Sequence, residues 1–232
     1  SAGGATQGGQ FQINTFTSLY QRNAAVAMDS DAEFVVVWES DMSSGDPTTS
    51  IQGQRFAADG VPLGAQFQVN SYTTSLQTVP AISATGDGDF VVVWQSYGSS
   101  GGDMSSWSIQ GQRFRVTGDL AGKVFFDHDA DGLKKKEKDG ISGVTVELYD
   151  DLLALRRVAQ TDGSGLYHLR PKEGVWHLRF VAPPAYFTTP NVGGDDTIDS
   201  DASPATGETG TFAVSVNALD STIDAGFVVF AL

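Results

Sequence analysis

A segment of about 55 residues occurs twice in this chain, and no other feature limits the fold as much. "QFQINTFTSLYQ" (10–21) returns as "QFQVNSYTTSLQ" (66–77), and "EFVVVWES" (33–40) returns as "DFVVVWQS" (89–96), each 56 residues later. "SIQGQRF" (50–56) returns unchanged at 108–114, now 58 later, because the loop at 97–107 is longer in the second repeat. Blocks that keep their order and spacing mark one supersecondary unit used twice. Apolar residues lack helical spacing, while β-branched and aromatic residues cluster between Gly, Asp and Ser, so short strands are expected. "FVVVW" is apolar at every position, which predicts burial on both faces. A strand of that kind suits a sheet stacked between two others, the place of an inner strand in a propeller blade. A β-sandwich made from both repeats is the alternative.

These blocks resemble the FVVVW/GQRF-type repeats of large bacterial secreted and surface proteins, over residues 10–118. Two blades do not close a ring, since propellers use about four to eight. If the repeats are blades, others come from further subunits, or the repeats stack in an open series and polymerise. Self-association, as homo-oligomer or polymer, is therefore expected. The start, "SAGGATQGG" (1–9), reads as a flexible tail exposed by processing. The repeats then occupy 10–65 and 66–118, and a different module occupies 119–232.

That second module begins "GKVFFDHDADG" and runs through "GVTVELYD", "YHLR" and "VWHLRF" to "IDAGF". Alternation puts Val144, Val146 and Leu148 on one face, and Tyr167, Leu169, Trp176, Leu178 and Phe180 inward. His168, Arg170, His177 and Arg179 then face out. A small all-β, immunoglobulin-like sandwich is predicted. From about 122 to 227 the ordered motifs resemble the SdrD B-like (Cna B-type) domains of bacterial surface adhesins. The resemblance implies a calcium-stabilised, non-enzymatic spacer or stalk element at the cell surface.

The loop "DHDADGLKKKEKDG" (127–140) places Asp127, Asp129 and Asp131 two apart, with Gly132 at the sixth position of a calcium loop. Ca²⁺ takes about six to eight oxygens, and these positions offer three carboxylates and the Leu133 carbonyl. Positions nine and twelve are Lys135 and Lys138, so the closing acid is displaced to Glu137 or Asp139. Either one of these closes the site, or the lysines neutralise an acidic turn without metal. His128, between ligands, is expected in solvent. "GGDDTIDSDA" holds Asp195, Asp196, Asp199 and Asp201, carboxylates that repel one another unless a cation lies among them. Asp196, Asp199 and Asp201 join the candidate ligands, the last two also by the resemblance. Asp150 and Asp162 are candidates to complete the set.

Composition narrows the function classes. With 28 acidic and 14 basic residues the net charge is −14, which argues against binding nucleic acid, whose phosphates need a basic face. The chain has no cysteine, so neither a disulfide nor a thiolate site stabilises it, and calcium is the expected substitute in an extracellular protein. No run approaches the ~20 apolar residues of a membrane span. No catalytic motif stands out, so no enzyme activity is expected. Tyr97 and Trp107, in the loop that differs between repeats, are the aromatic candidates for stacking on a sugar, and a glycan-binding lectin with an oligomeric propeller is the alternative function. The last stretch, "DAGFVVFAL", is an apolar strand that could be donated to a neighbouring subunit.

Overall fold

The computed structural model describes residues 4–43, 46–99, 106–134, 140–181, 186–188, 190–192 and 194–228, and among them there are strands and turns but no helix. The chain divides into two compact units, Ser1–Arg115 and Val116–Leu232.

In the first unit, β1 (Gln21–Met28), β2 (Phe34–Asp41), β3 (Thr49–Phe56) and β4 (Pro62–Gln68) form one antiparallel meander. A second meander joins β5 (Gln77–Ala84), β6 (Phe90–Tyr97) and β7 (Trp107–Phe114). The sequence repeat is a repeat of conformation as well. β1 and β5 carry a bulge at matching places, where Asn23 and Val79 take φ of 54° and 52°. The described strands close neither a barrel nor a propeller.

The two meanders are joined by a strand that crosses the sequence boundary. β4 belongs partly to the second repeat, yet it pairs with β3 as the fourth strand of the first sheet. Its Phe67 lies opposite Gly53, and a Cβ at Gly53 would stand 2.6 Å from the Phe67 ring, so only glycine fits there. The same ring packs on Phe114 and Phe90 of the second sheet, at centroid distances of 5.4 and 6.3 Å. One aromatic side chain thus bolts the sheets together.

The expected double burial of "FVVVW" holds in the first repeat and fails in the second. Val35, Val36, Val37 and Trp38 are all buried on β2. On β6 burial alternates, with Phe90, Val92 and Trp94 inside and Val91 and Val93 exposed. The same five letters differ because the second sheet lies against one face of the first, and among the described residues nothing covers the matching face of the second.

Glu39, fully buried on β2, ties the repeats electrostatically. It accepts from Arg22 Nε (2.8 Å), Asn23 Nδ2 (2.6 Å) and the backbone N–H of Val79 on β5 (2.6 Å). A buried carboxylate so satisfied is expensive to remove, because its donors are left without an acceptor. Glu39→Ala is expected to cost about 3 kcal/mol in urea unfolding, and Glu39→Gln about half of that.

The second unit is a two-sheet sandwich. One sheet has the order β10 (Leu155–Gln160), β9 (Thr145–Asp150), β12 (Gly174–Val181), β14 (Phe212–Val214). The other has β11 (Leu166–Leu169), β8 (Asp119–Phe126), β16 (Ala225–Val228), β13 (Tyr186–Phe187), with β15 (Leu219–Asp220) also beside β8. The inward alternation read from sequence is realised: Val144, Val146, Leu148, Tyr167, Leu169, Trp176, Leu178 and Phe180 form one core with Leu120, Val124 and Phe227. β16 is an internal strand, parallel to β8 and antiparallel to β13. The described part of the C-terminal segment therefore completes its own sandwich and is not free to be donated; Val229–Leu232 lie outside the described residues.

Candidate metal centre

Two acidic loops meet at one end of the sandwich. The first leaves β8 at Phe126. Asp127 is anchored by its N–H to the Phe227 carbonyl (2.9 Å), and its carboxylate accepts the N–H groups of Asp131 (3.3 Å) and Gly132 (2.7 Å). That folds the loop back on itself, with Ala130 and Gly132 at φ of 59° and 82°. The Asp131 carboxylate accepts the Leu133 N–H at 3.1 Å. Asp127, Asp129 and Asp131 each have a carboxylate oxygen within 4.8 Å of the others.

The second loop lies antiparallel to the first through the bridge between Leu133 and Asp199. The bonds that hold it are Ser200 N–H to the Gly132 carbonyl (3.0 Å) and Lys134 N–H to the Ile198 carbonyl (2.5 Å). The Leu133 carbonyl is not used by that bridge. Asp196, Asp199 and Asp201 form a second cluster with oxygens within 4.8 Å. Asp195 stands apart: its carboxylate accepts the Thr197 N–H and hydroxyl, which holds it below the usual carboxylate range.

The electrostatics of the second cluster are unbalanced. Asp199 is buried, and its Oδ1 has no hydrogen-bond partner among the described residues. Burial and the nearby Asp196 push its carboxyl upward. Asp201 is pushed up to about 7, by burial first and then by Asp196, Asp199 and Asp224, against one backbone N–H that favours its ionised form. An orphaned buried oxygen among carboxylates is costly unless a cation accepts it. Oxygen-only donors of this kind suit a hard ion such as Ca²⁺.

Asp224, which sequence reading missed, lies beneath both loops and is fully buried. It accepts the Lys123 N–H (2.6 Å), and Asp201 and Asp224 exchange backbone and side-chain bonds, with Asp224 N–H to Asp201 Oδ2 at 2.7 Å. Burial pushes its carboxyl up to about 6, against the opposing pull of Lys134. Lys134 Nζ donates to Asp224 Oδ2. That first lysine of the run is thus paired with a buried carboxylate outside the loop. The signal in the sequence was an aspartate between Ile223 and Ala225 at the start of a core strand.

Glu137, Asp139, Lys135 and Lys138 lie outside the described residues. Asp150 is occupied by its own turn, its Oδ1 accepting the N–H groups of Leu152 and Ala154 and its Oδ2 facing both Nε and Nη2 of Arg156 (2.7 and 2.6 Å). Asp162 accepts the N–H groups of Ser164 and Leu166. His128 is exposed as expected and stacks on Phe126. In the first unit, Tyr97 and Trp107 are exposed neighbours, edge to face at 5.4 Å. No helix of the described residues is long and apolar enough to cross a membrane.

Residues 118–227 match the model of the SdrD B-like domain. Serine-aspartate repeat-containing protein D of Staphylococcus aureus strain Newman is 30% identical over 126 residues, covering 54% of this chain and 9% of that protein. Protein F of the same name in Staphylococcus epidermidis is 33% identical over 128 residues, 54% of this chain and 7% of the other. Protein I of Staphylococcus saprophyticus is 34% identical over 115 residues, 48% and 6%. The chain thus spans less than a tenth of the length of these relatives. Among solved structures, BcpA, the major pilin subunit of Bacillus cereus, covers 88% of this chain and 67% of its own at 7% identity and a TM-score of 0.32, below the likeness of a shared fold.

Proposed function

We propose, on the premise that residues 118–227 are an SdrD B-like domain, that this chain is a non-enzymatic structural module of a bacterial surface layer, stalk or fibre. Calcium stiffens the sandwich, and subunit contacts assemble it outside the cell. The observation that carries the calcium reading is the buried, partnerless Oδ1 of Asp199, whose carboxylate clusters with those of Asp196 and Asp201. The residues fit the ion: Asp196, Asp199 and Asp201 would hold one, and Asp127, Asp129, Asp131 and the Leu133 carbonyl a second, with Glu137 or Asp139 closing the latter. Each ion would supply charge neutralisation within its own loop and so stiffen that loop against the sandwich. Tyr97 and Trp107 favour a second reading, stacking on a glycan.

Calorimetric titration of chelator-stripped protein with calcium, with light scattering on the same samples, tests the proposal. Heat of binding and a mass above that of one chain are expected. A monomer that binds no calcium would sink both parts.

A further inference from the structure

The stacking of the two repeats ends on a surface shaped like the one it has just covered. On the first sheet, Val35, Val37 and Ile51 share one face and are 4%, 0% and 0% exposed. Their counterparts on the second sheet, Val91, Val93 and Ile109, are 38%, 40% and 72% exposed. The first face is covered by the leading part of the next repeat: β4 adds along β3, Phe67 enters the notch at Gly53, and Val79 of β5 donates to Glu39. On the second sheet, no described strand lies outside β7. Gly111 keeps the notch, where a Cβ would meet only Val93 Cγ1 at 3.4 Å and the Val92 carbonyl at 3.5 Å.

The segment that fits this notch is already in the chain. "TQGGQFQIN" (6–14) is the first repeat's counterpart of "PLGAQFQVN" (62–70). Gly8 and Gly64 share a left-handed backbone, at φ of 79° and 74°. Phe11 packs on Phe56 at 5.7 Å as Phe67 packs on Phe114 at 5.4 Å. Residues 6–12 are exposed and belong to no strand.

We propose that β7 and the exposed face of the second sheet receive residues 6–14 and the first sheet of a second copy of this chain, head to tail. This deepens the assembly reading above and rests on it. β4 shows that such a segment packs on its own sheet and pairs with the preceding one at once, so no rearrangement is needed. The β3–β4 register, Gln52 with Gln68, Gly53 with Phe67 and Phe56 with Pro62, translates directly. Gln110 faces Gln12 of the next copy, Gly111 faces Phe11, and Phe114 faces Thr6. The two surfaces differ, so the contact is heterologous and runs on into open chains or a ring.

The test is sedimentation of the full chain over a range of concentrations. Ile109→Arg blocks the receiving face and Phe11→Asp the entering segment; both side chains are at least half exposed, so circular dichroism should be unchanged. The parent is expected to grow past a dimer, each variant alone to stay monomeric, and an equimolar mixture to stop at one-to-one dimers. With no native cysteine, the double variant Gln12→Cys, Gln110→Cys should give a disulfide ladder, and Gln10→Cys, Gln110→Cys should not. An Ile109→Arg protein that assembles like the parent overturns this surface and leaves assembly standing. Dimers of Phe11→Asp alone would mean that the face pairs with itself, which also overturns it. A parent that stays monomeric overturns both readings, and its retention on a glycan column lost in Ile109→Arg would assign the face to sugar.

Discussion

Asp199→Asn will be less stable than the parent in excess calcium and at least as stable as the parent in chelator. The reversal follows from the state of the carboxylate. Without a cation, Asp199 carries a buried oxygen that nothing described hydrogen-bonds, beside Asp196 and Asp201. Replacing a charge with an isosteric amide removes repulsion and desolvation together, so the apo protein gains or is unmoved. With the cation bound, the Asp199 carboxylate would be a ligand, and its loss removes binding to the folded state. A ligand present at about 100 times its dissociation constant stabilises by roughly 2.7 kcal/mol. For a unit of this size that is roughly 10 °C in the unfolding temperature. Scanning calorimetry of both proteins in calcium and in chelator reads the effect. On chelation the variant should fall by about that amount less than the parent, because the ion at Asp127, Asp129 and Asp131 is untouched by the change. A variant that kept the full calcium shift would remove Asp199 from the ligand set. A parent indifferent to chelator would remove calcium from the account.

Much of the second unit was legible because its strands are half-buried. Val144, Val146 and Leu148 alternate with polar residues, and so do Tyr167 and Leu169, so the sequence period fixes the face. The Asp127 loop was legible for a different reason: its aspartates and Gly132 act within a few residues of one another, and local hydrogen bonds fold it. What could not be read depends on neighbours distant in sequence. "FVVVW" is buried on both faces in β2 and on one in β6, and no local property distinguishes them. The difference lies in which sheet has a successor. Pairing of β4 with the preceding repeat was hidden likewise, because the sequence period marks where a unit recurs and not where its sheet begins. Asp224 escaped for a third reason. Its partners, Lys123 and Lys134, are 101 and 90 residues away, and an isolated aspartate before an apolar strand carries no spacing signal.

Gly122→Ala should be the most damaging single-methyl change in the second unit among those that leave its acidic loops intact. Gly122 lies on β8 opposite Tyr167 of β11. A Cβ there would stand 1.9 Å from the Ile223 carbonyl oxygen and 2.7 Å from the Tyr167 hydroxyl. Those two groups are hydrogen-bonded to each other at 2.7 Å in the buried interior. The added methyl must therefore either push the ring out of the core or separate β8 from the chain leading into β16. Overpacking costs about 1–3 kcal/mol, and a broken buried hydrogen bond about as much again. A loss of about 4 kcal/mol in chemical unfolding of the second unit is expected. Two companions fix the interpretation. Tyr167→Phe deletes the hydrogen bond without the clash and should cost about 1–2 kcal/mol. Gly163→Ala, where a Cβ meets nothing within 4 Å, should be near neutral. If Gly122→Ala proved no worse than Tyr167→Phe, the close approach of β8 to Ile223 would be wrong. The same change should also weaken the response to calcium, because β8 runs directly into Asp127 and Ile223 directly into Asp224. The strands that close the core are the ones that carry the acidic loops, so strain between them would reach the proposed calcium ligands through the backbone alone.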